Sequence, residues 1–231
     1  MTVAIKVWDL PLRLFHWLLA LAVAAAIITG EIGGNLIDWH GRIGVFIAGL
    51  LAFRIVWGFI GSTHARFASF FPTPARIAAY LKGEWRKPGH NPLGALSVFA
   101  LLGALALLAG VGLFANDDIA FNGPLAPLVD KDLSDKLGGW HVAVFNLLAA
   151  LAALHVAAIV FYVKAKKKNL VLPMLTGKVQ ASADTLAAAG GGAVRFAFAV
   201  AVAVAVAWAV GGGLLPHADA LAISPAAGPG W

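Results

Sequence analysis

Five runs of this chain, Leu10–Gly30, Trp39–Gly61, Pro92–Ala115, Gly139–Val163 and Ala193–Leu215, are each apolar over a length that can cross a bilayer. A spanning helix needs about 20 largely apolar residues, because the bilayer core offers no water to unpaired backbone groups. Nothing else in the sequence limits the fold as strongly. Composition agrees: 61% of residues are hydrophobic, 12% are charged and the mean hydropathy is +0.85, whereas about a quarter of a soluble domain is charged. The expected fold class is an all-α integral membrane protein. The first run exceeds the apolar core of a signal peptide, Gly30-Glu31-Ile32 does not resemble a small-residue cleavage site, and His16 has no use in a discarded segment. We read it as a retained helix.

The formal net charge of +6 invites a nucleic-acid reading, but its placement argues for topology instead. Lys6 and Arg13 flank the start of span one. Arg66, Arg76, Lys82, Arg86 and Lys87 lie between spans two and three, and Lys164, Lys166, Lys167, Lys168, Lys178 and Arg195 lie around the connection from span four to span five. The opposite loops carry Glu31, Asp38, Asp117, Asp118, Asp130, Asp132 and Asp135, with Lys131 and Lys136. Positive residues concentrate on the cytoplasmic side, so the N-terminus is expected in the cytoplasm and the C-terminus outside. No nucleic-acid partner is expected. In the basic loop, Ile77, Tyr80, Leu81 and Trp85 recur at helical spacing beside Arg76 and Lys82, which suits a short helix on the membrane surface. The segment Leu172–Gly192 reads as a loosely ordered linker, and Glu31–Asp38 as a tight outer turn.

The chain has no cysteine, which excludes disulfides, cysteine-ligated iron–sulfur clusters and covalent c-type haem. It has no GxGxxG, Walker or HExxH signature either. Histidines are the remaining candidates for chemistry. Of seven, His64, His90 and His217 fall in loops, while His16, His40, His141 and His155 fall in spans one, two and four, where ionisable groups are costly and usually functional.

Their spacing is informative. His141 and His155 are fourteen residues apart, which along an α-helix is about 21 Å and nearly four whole turns, so both point to the same side at different depths. His16 shares the depth of His155 near the inner surface, and His40 shares that of His141 near the outer one. Two histidines facing each other across a helical bundle can clamp a haem iron axially. Two stacked pairs would hold two haems, giving electrons a path across the low-dielectric layer. A proton relay would instead require acidic residues between the two levels, and the spans contain none. Arg54 lies fourteen residues after His40, at the inner level, where a buried guanidinium needs an anion such as a haem propionate. Arg13 and Arg42 are further propionate candidates near the two surfaces, or interfacial anchors. Gly41, Gly44, Gly138 and Gly139 either admit a flat macrocycle or let helices approach closely.

The stretches "VWDLPLRLFHWLLA", "WHGRIG", "GHNPLGALSVFALL" and "GWHVAVFNLLAALAALHV" together resemble the prokaryotic cytochrome b561 family, over roughly Val7 to Lys178. The resemblance implies a four-helix transmembrane bundle with two non-covalent b haems, ligated by His16, His40, His141 and His155, in the bacterial cytoplasmic membrane. It also implies electron exchange between the quinone pool (ubiquinone or another quinone) and an extracytoplasmic redox partner, such as a c-type cytochrome or a hydrogenase subunit. His90 sits in the Gly-His-Asn-Pro stretch as a contact for the inner haem or a quinone, not as an iron ligand.

The resulting expectation is a dihaem bundle over residues 7–178, a linker over 179–192, a fifth helix over 193–215 and an outer tail over 216–231. A superoxide:quinone oxidoreductase is the alternative of an enzyme in the stricter sense. It needs a cationic approach to the outer haem, whereas the outer loops are acidic apart from Arg42, Lys131 and Lys136. A b-type subunit of a larger complex such as a hydrogenase is the other alternative. A haem-free transporter or assembly subunit would require other partners for the four histidines. The direction of electron flow, the role of the fifth helix and any oligomer are left open by the sequence.

Overall fold

The computed structural model describes residues 2–85, 87–119, 121–182 and 187–215. Arg86, His217 and the expected outer tail 216–231 lie outside the described residues. In chain order the elements are β1 (Thr2–Lys6), α1 (Leu10–Ile32), α2 (Ile37–Ile60), α3 (Phe67–Phe70), α4 (Pro74–Leu81), α5 (Pro92–Gly112), α6 (Lys131–Lys164), α7 (Val171–Thr176), β2 (Lys178–Ser182) and α8 (Gly192–Trp208). A π-turn, Ala209–Gly213, prolongs α8. Five helical stretches among these are long and apolar enough to span a membrane, and they coincide with the five runs in the sequence.

Local chemistry sets where the helices begin. Asp9, Thr73, Asn91 and Asp130 cap α1, α4, α5 and α6 by accepting a backbone N–H from the first turn, and a proline follows at the start of α1, α4 and α5. Such caps satisfy donors that the helix cannot pair internally. The acidic loop was expected to last until Gly139, but α6 starts at Lys131. Asp130 supplies the cap at 2.8 Å, and Lys131 bridges Asp135 one turn on and Asp118 across the loop, at 2.9 and 2.7 Å. The turn from α1 to α2 is as tight as expected, with Gly33 and Gly34 at φ 62° and 54°, a region open to glycine.

Helix α2 is the hub, packed against α1, α5 and α8, whereas α6 leans chiefly on α5. Between α6 and the α1–α2 pair backbone contact is slight, which leaves an opening along the bundle. One apolar cluster, at the basic end, joins Leu12, Phe15, Phe53, Trp57, Ala65 and Ala199. Another, midway along, joins Ala22, Ile47, Leu51, Ala104, Leu105 and Leu148. In lipid there is no aqueous hydrophobic drive between helices, so close approach matters most. Helix α8 meets α2 where Gly49 lies against Ala203 and Ala207, and Phe196 stands edge-on to Phe53 and Trp57 at 6.0 and 6.2 Å.

The expected loose linker is corrected by the structure. Within it lie α7 and β2, and β2 pairs antiparallel with β1, Thr2 opposite Ser182 and Lys6 opposite Lys178. Gly177, at φ 81°, ends α7, and its carbonyl accepts the N–H groups of Val7 and Trp8. The Arg13 Nη1 and Trp17 Nε1 groups donate to the carbonyls of Leu175 and Met174, while Thr63 exchanges hydrogen bonds with Ala189. These pairings are remote in sequence, so local periodicity did not announce them.

Candidate cofactor sites

At the acidic end, His40 on α2 and His141 on α6 stand ring to ring, with centroids 5.9 Å apart and planes at 80°. Each is held from behind. His40 Nδ1 donates to the Ala26 carbonyl at 2.8 Å, and His141 Nδ1 donates to the Leu108 carbonyl at 3.0 Å. A carbonyl can only accept, so in the neutral rings the proton sits on Nδ1 and Nε2 carries the lone pair. That is the arrangement by which a protein orients an imidazole for a metal.

Glycines make room for these rings. A Cβ on Gly30 of α1 would meet the His40 ring, and one on Gly112 of α5 would meet the His141 ring. Between the two histidines opens a cleft of about 190 Å³, lined also by Gly41, Gly44, Gly138 and Phe121. Gly44 and Gly139 face open space, whereas Gly41 lies against the Phe121 ring and Gly138 lies near the Asn116 carbonyl. Of the four glycines noted in the sequence, three thus line this cleft.

At the basic end, His16 on α1 and His155 on α6 are close enough for their charges to interact. His155 Nδ1 meets the Ser97 hydroxyl of α5 at 3.5 Å, while His16 Nδ1 is buried with no hydrogen-bond partner. Arg54 is 2% exposed; its guanidinium lies 4.4 Å over the Phe67 ring, and Nη1 finds no partner. Both orphaned groups are of the kind that a bound molecule satisfies. His90 joins this level, in charge contact with Arg54 and His16. Its ring lies between Trp8 and Phe70, with centroids at 4.6 and 4.5 Å, and its Nδ1 is buried without a partner. Burial, then the positive charges of Arg54, His16 and His64, push His90 down to about 3, so its ring is neutral at physiological pH.

The remaining candidate arginines also have partners within the chain, although Arg13 Nε is buried without one. Arg13 reaches the Leu175 carbonyl, and Arg42 lies 5.2 Å from the Trp39 ring on the exposed side of α2. The structure thus brings His40 to His141, His16 to His155, and both Arg54 and His90 to the second pair. Sequence reasoning missed Gly30, Gly112, Ser97, Asp9 and Trp57. Only the tilt between helices decides which glycine backs which ring, but the aspartate before Leu10-Pro11 was a legible helix cap.

The prokaryotic cytochrome b561 family matches residues 7–177, which run from the start of α1 to the end of α7. A relative from Azotobacter chroococcum, named "Probable Ni/Fe-hydrogenase B-type cytochrome subunit", is 29% identical over 177 residues, covering 62% of this chain and 69% of its own. A relative of the same name from Rhodobacter capsulatus is 26% identical over 217 residues, covering 75% and 80%. The "Probable Ni/Fe-hydrogenase 1 B-type cytochrome subunit" of Escherichia coli K12 is 23% identical over 189 residues, covering 65% and 80%. No solved structure matches the chain significantly. Helix α8 lies beyond the family match. With every helix that bears a paired histidine inside that match, the chain belongs to the prokaryotic cytochrome b561 family, a family of b-type cytochromes built as helical membrane bundles.

Proposed function

We propose that this chain is the membrane-embedded b-type cytochrome subunit of a larger redox complex of the Ni/Fe-hydrogenase kind, and that it holds two haem b groups. His40 and His141 ligate one at the acidic end, and His16 and His155 ligate the other at the basic end. The observation that carries this reading is the facing pair at 5.9 Å. Metal–imidazole bonds are about 2.0 Å, so two rings clamping one metal stand with centroids roughly 6 Å apart. The slight contact between α6 and the α1–α2 pair supports room for a flat group.

Haem b, when bound, would supply one-electron chemistry, and two imidazole ligands from the chain would suit it to electron transfer rather than oxygen activation. The chain's own residues do the rest. The carbonyls of Ala26 and Leu108 fix the tautomer and direction of His40 and His141. Arg54 offers a buried cation to a propionate, and the neutral His90 closes the basic end with Trp8 and Phe70. The apolar spans exclude water, so a charge on either site is not screened by solvent.

By the positive-inside bias, the basic end lies in the cytoplasm with the N-terminus. An extracytoplasmic redox subunit then delivers or receives electrons at the acidic end, and a quinone exchanges them at the other. The relatives named as hydrogenase cytochrome subunits favour a resident subunit as partner over a soluble c-type cytochrome. The decisive experiment is purification in detergent with a pyridine haemochrome assay. Two haem b per chain are expected. One per chain would defeat the two-site reading, and none would defeat the haem reading altogether.

A further inference from the structure

Asp9 is a carboxylate that electron transfer does not itself require, and it is 7% exposed. Burying a carboxylate is costly unless it is paired and hydrogen-bonded, so its surroundings are informative. Oδ1 accepts the Leu12 N–H at 2.7 Å, capping α1, and Oδ2 accepts the Trp57 indole N–H of α2 at 2.9 Å. Trp57 is 1% exposed and lies one turn after Arg54 on α2. The carboxylate, held beside Arg54 through Trp57, also lies within electrostatic reach of the guanidinium. One carboxylate thus touches the start of α1, two turns before His16, and the part of α2 that carries Arg54.

Capping alone does not call for a charge, since serine and asparagine cap a helix about as well as aspartate. The negative charge answers Arg54 instead. A guanidinium buried to this degree needs counter-charge, and Asp9 supplies one while Arg54 Nη1 is left without a partner. A second anion completes the set.

We infer that Asp9 is a positioning residue of the basic-end cofactor site, joining α1 to α2 through Trp57 and partnering Arg54 so that the free guanidinium nitrogen serves a carboxylate of the cofactor. This rests on the bis-histidine reading of His16 and His155. It carries an electrostatic consequence: Asp9 contributes negative charge beside the basic-end haem in a low-dielectric setting, which favours the oxidised iron.

The test uses the full chain with His141→Leu, which retains only the basic-end haem, and compares redox titrations with Asp9 intact, Asp9→Asn, Asp9→Ser and Asp9→Glu. Both uncharged variants keep the cap, so each stands in if the other fails to accumulate. We expect the midpoint potential to rise in Asp9→Asn and Asp9→Ser and to return towards the original in Asp9→Glu. In the dihaem protein, Asp9→Asn raises one potential and leaves the other in place. An unchanged potential, or an equal shift of both haems, would overturn the inference while leaving the two-haem reading intact. Absence of haem from the parent protein would instead count against the bis-histidine reading.

Discussion

Tyr80 and Tyr162, the only two tyrosines of the chain, meet hydroxyl to hydroxyl at the basic end. Asn91 joins them, its Nδ2 donating to the Tyr162 hydroxyl at 3.2 Å while its Oδ1 caps α5. Three elements are thereby tied at one point: the surface helix α4, the start of α5 and the last turns of α6. Burial, then the hydrogen bond to Tyr162, push the Tyr80 phenol up to about 12.

Removing one hydroxyl of this pair should loosen α4 without disturbing the histidines. A hydrogen bond of this kind contributes about 1 kcal/mol net, so Tyr162→Phe is expected to lower the melting temperature in detergent by a few degrees with the haem content unchanged. An altered haem content would mean that the tyrosines act on a cofactor site rather than on α4.

A methyl group at Gly112 is expected to be far more harmful than one at Gly103 on the same helix. The Gly112 Cβ would overlap the His141 ring, which is already tied to Leu108, whereas Gly103 faces open space. Gly112→Ala should lose the acidic-end haem and keep the other. Gly103→Ala should be neutral or stabilise by up to about 1 kcal/mol through the better helix propensity of alanine. The haem-to-protein ratio and the melting temperature of each variant check this.

The ligand assignment separates the two sites. His155→Leu should remove the basic-end haem alone, and His141→Leu the acidic-end haem alone, each leaving about half of the haem absorbance. Loss of both from either change would mean that the sites are not independent. Spectra of the four single histidine variants should fall into two matching pairs, His16 with His155 and His40 with His141.

Acid should weaken the basic end through His90. Its folded pKa of about 3 lies below the ordinary 6.5, so the unfolded chain takes up the proton first. This contribution to stability is complete above about pH 6.5 and is lost as the pH falls towards 3. Between pH 7 and 5 the loss is on the order of 2 kcal/mol. Melting temperatures of the parent and His90→Gln across that range should diverge, with the glutamine variant the flatter of the two. Parallel curves would show that His90 is not the group responsible.

The sheet between β1 and β2 should matter for more than the N-terminus. Deleting residues 2–6 removes the ladder to Lys178–Ser182 and the contact of the Lys6 carbonyl with the Ala188 N–H. Limited proteolysis is expected to cut after α7 in the shortened chain and to spare that segment in the parent.

Much of the architecture was legible because membrane spans are set by local composition. The five apolar runs became the five long helices, with ends shifted by capping: α1 runs on to Ile32, α5 stops at Gly112 and α6 reaches back to Lys131. The depth pairing of the histidines was also legible, since helix rise and one basic flank suffice to rank depths. The partners of Arg13 and Arg42 were not, because a long side chain settles on whatever carbonyl or ring the neighbouring chain brings within reach. Arg13 finds Leu175 and Arg42 finds Trp39.

By itself, the sequence determined that the chain crosses a membrane in helices and keeps four histidines at two depths, because hydropathy and helical periodicity are local properties. Only the tertiary structure decided what stands behind each ring, which helix carries the glycine that admits it, and that the buried Asp9 meets the buried Trp57. It also showed that Val171–Thr176 is a helix and that Lys178–Ser182 is a strand paired with the N-terminal one. Those outcomes depend on the angles and offsets at which helices meet, and such contacts join residues whose separation along the chain leaves no periodic trace.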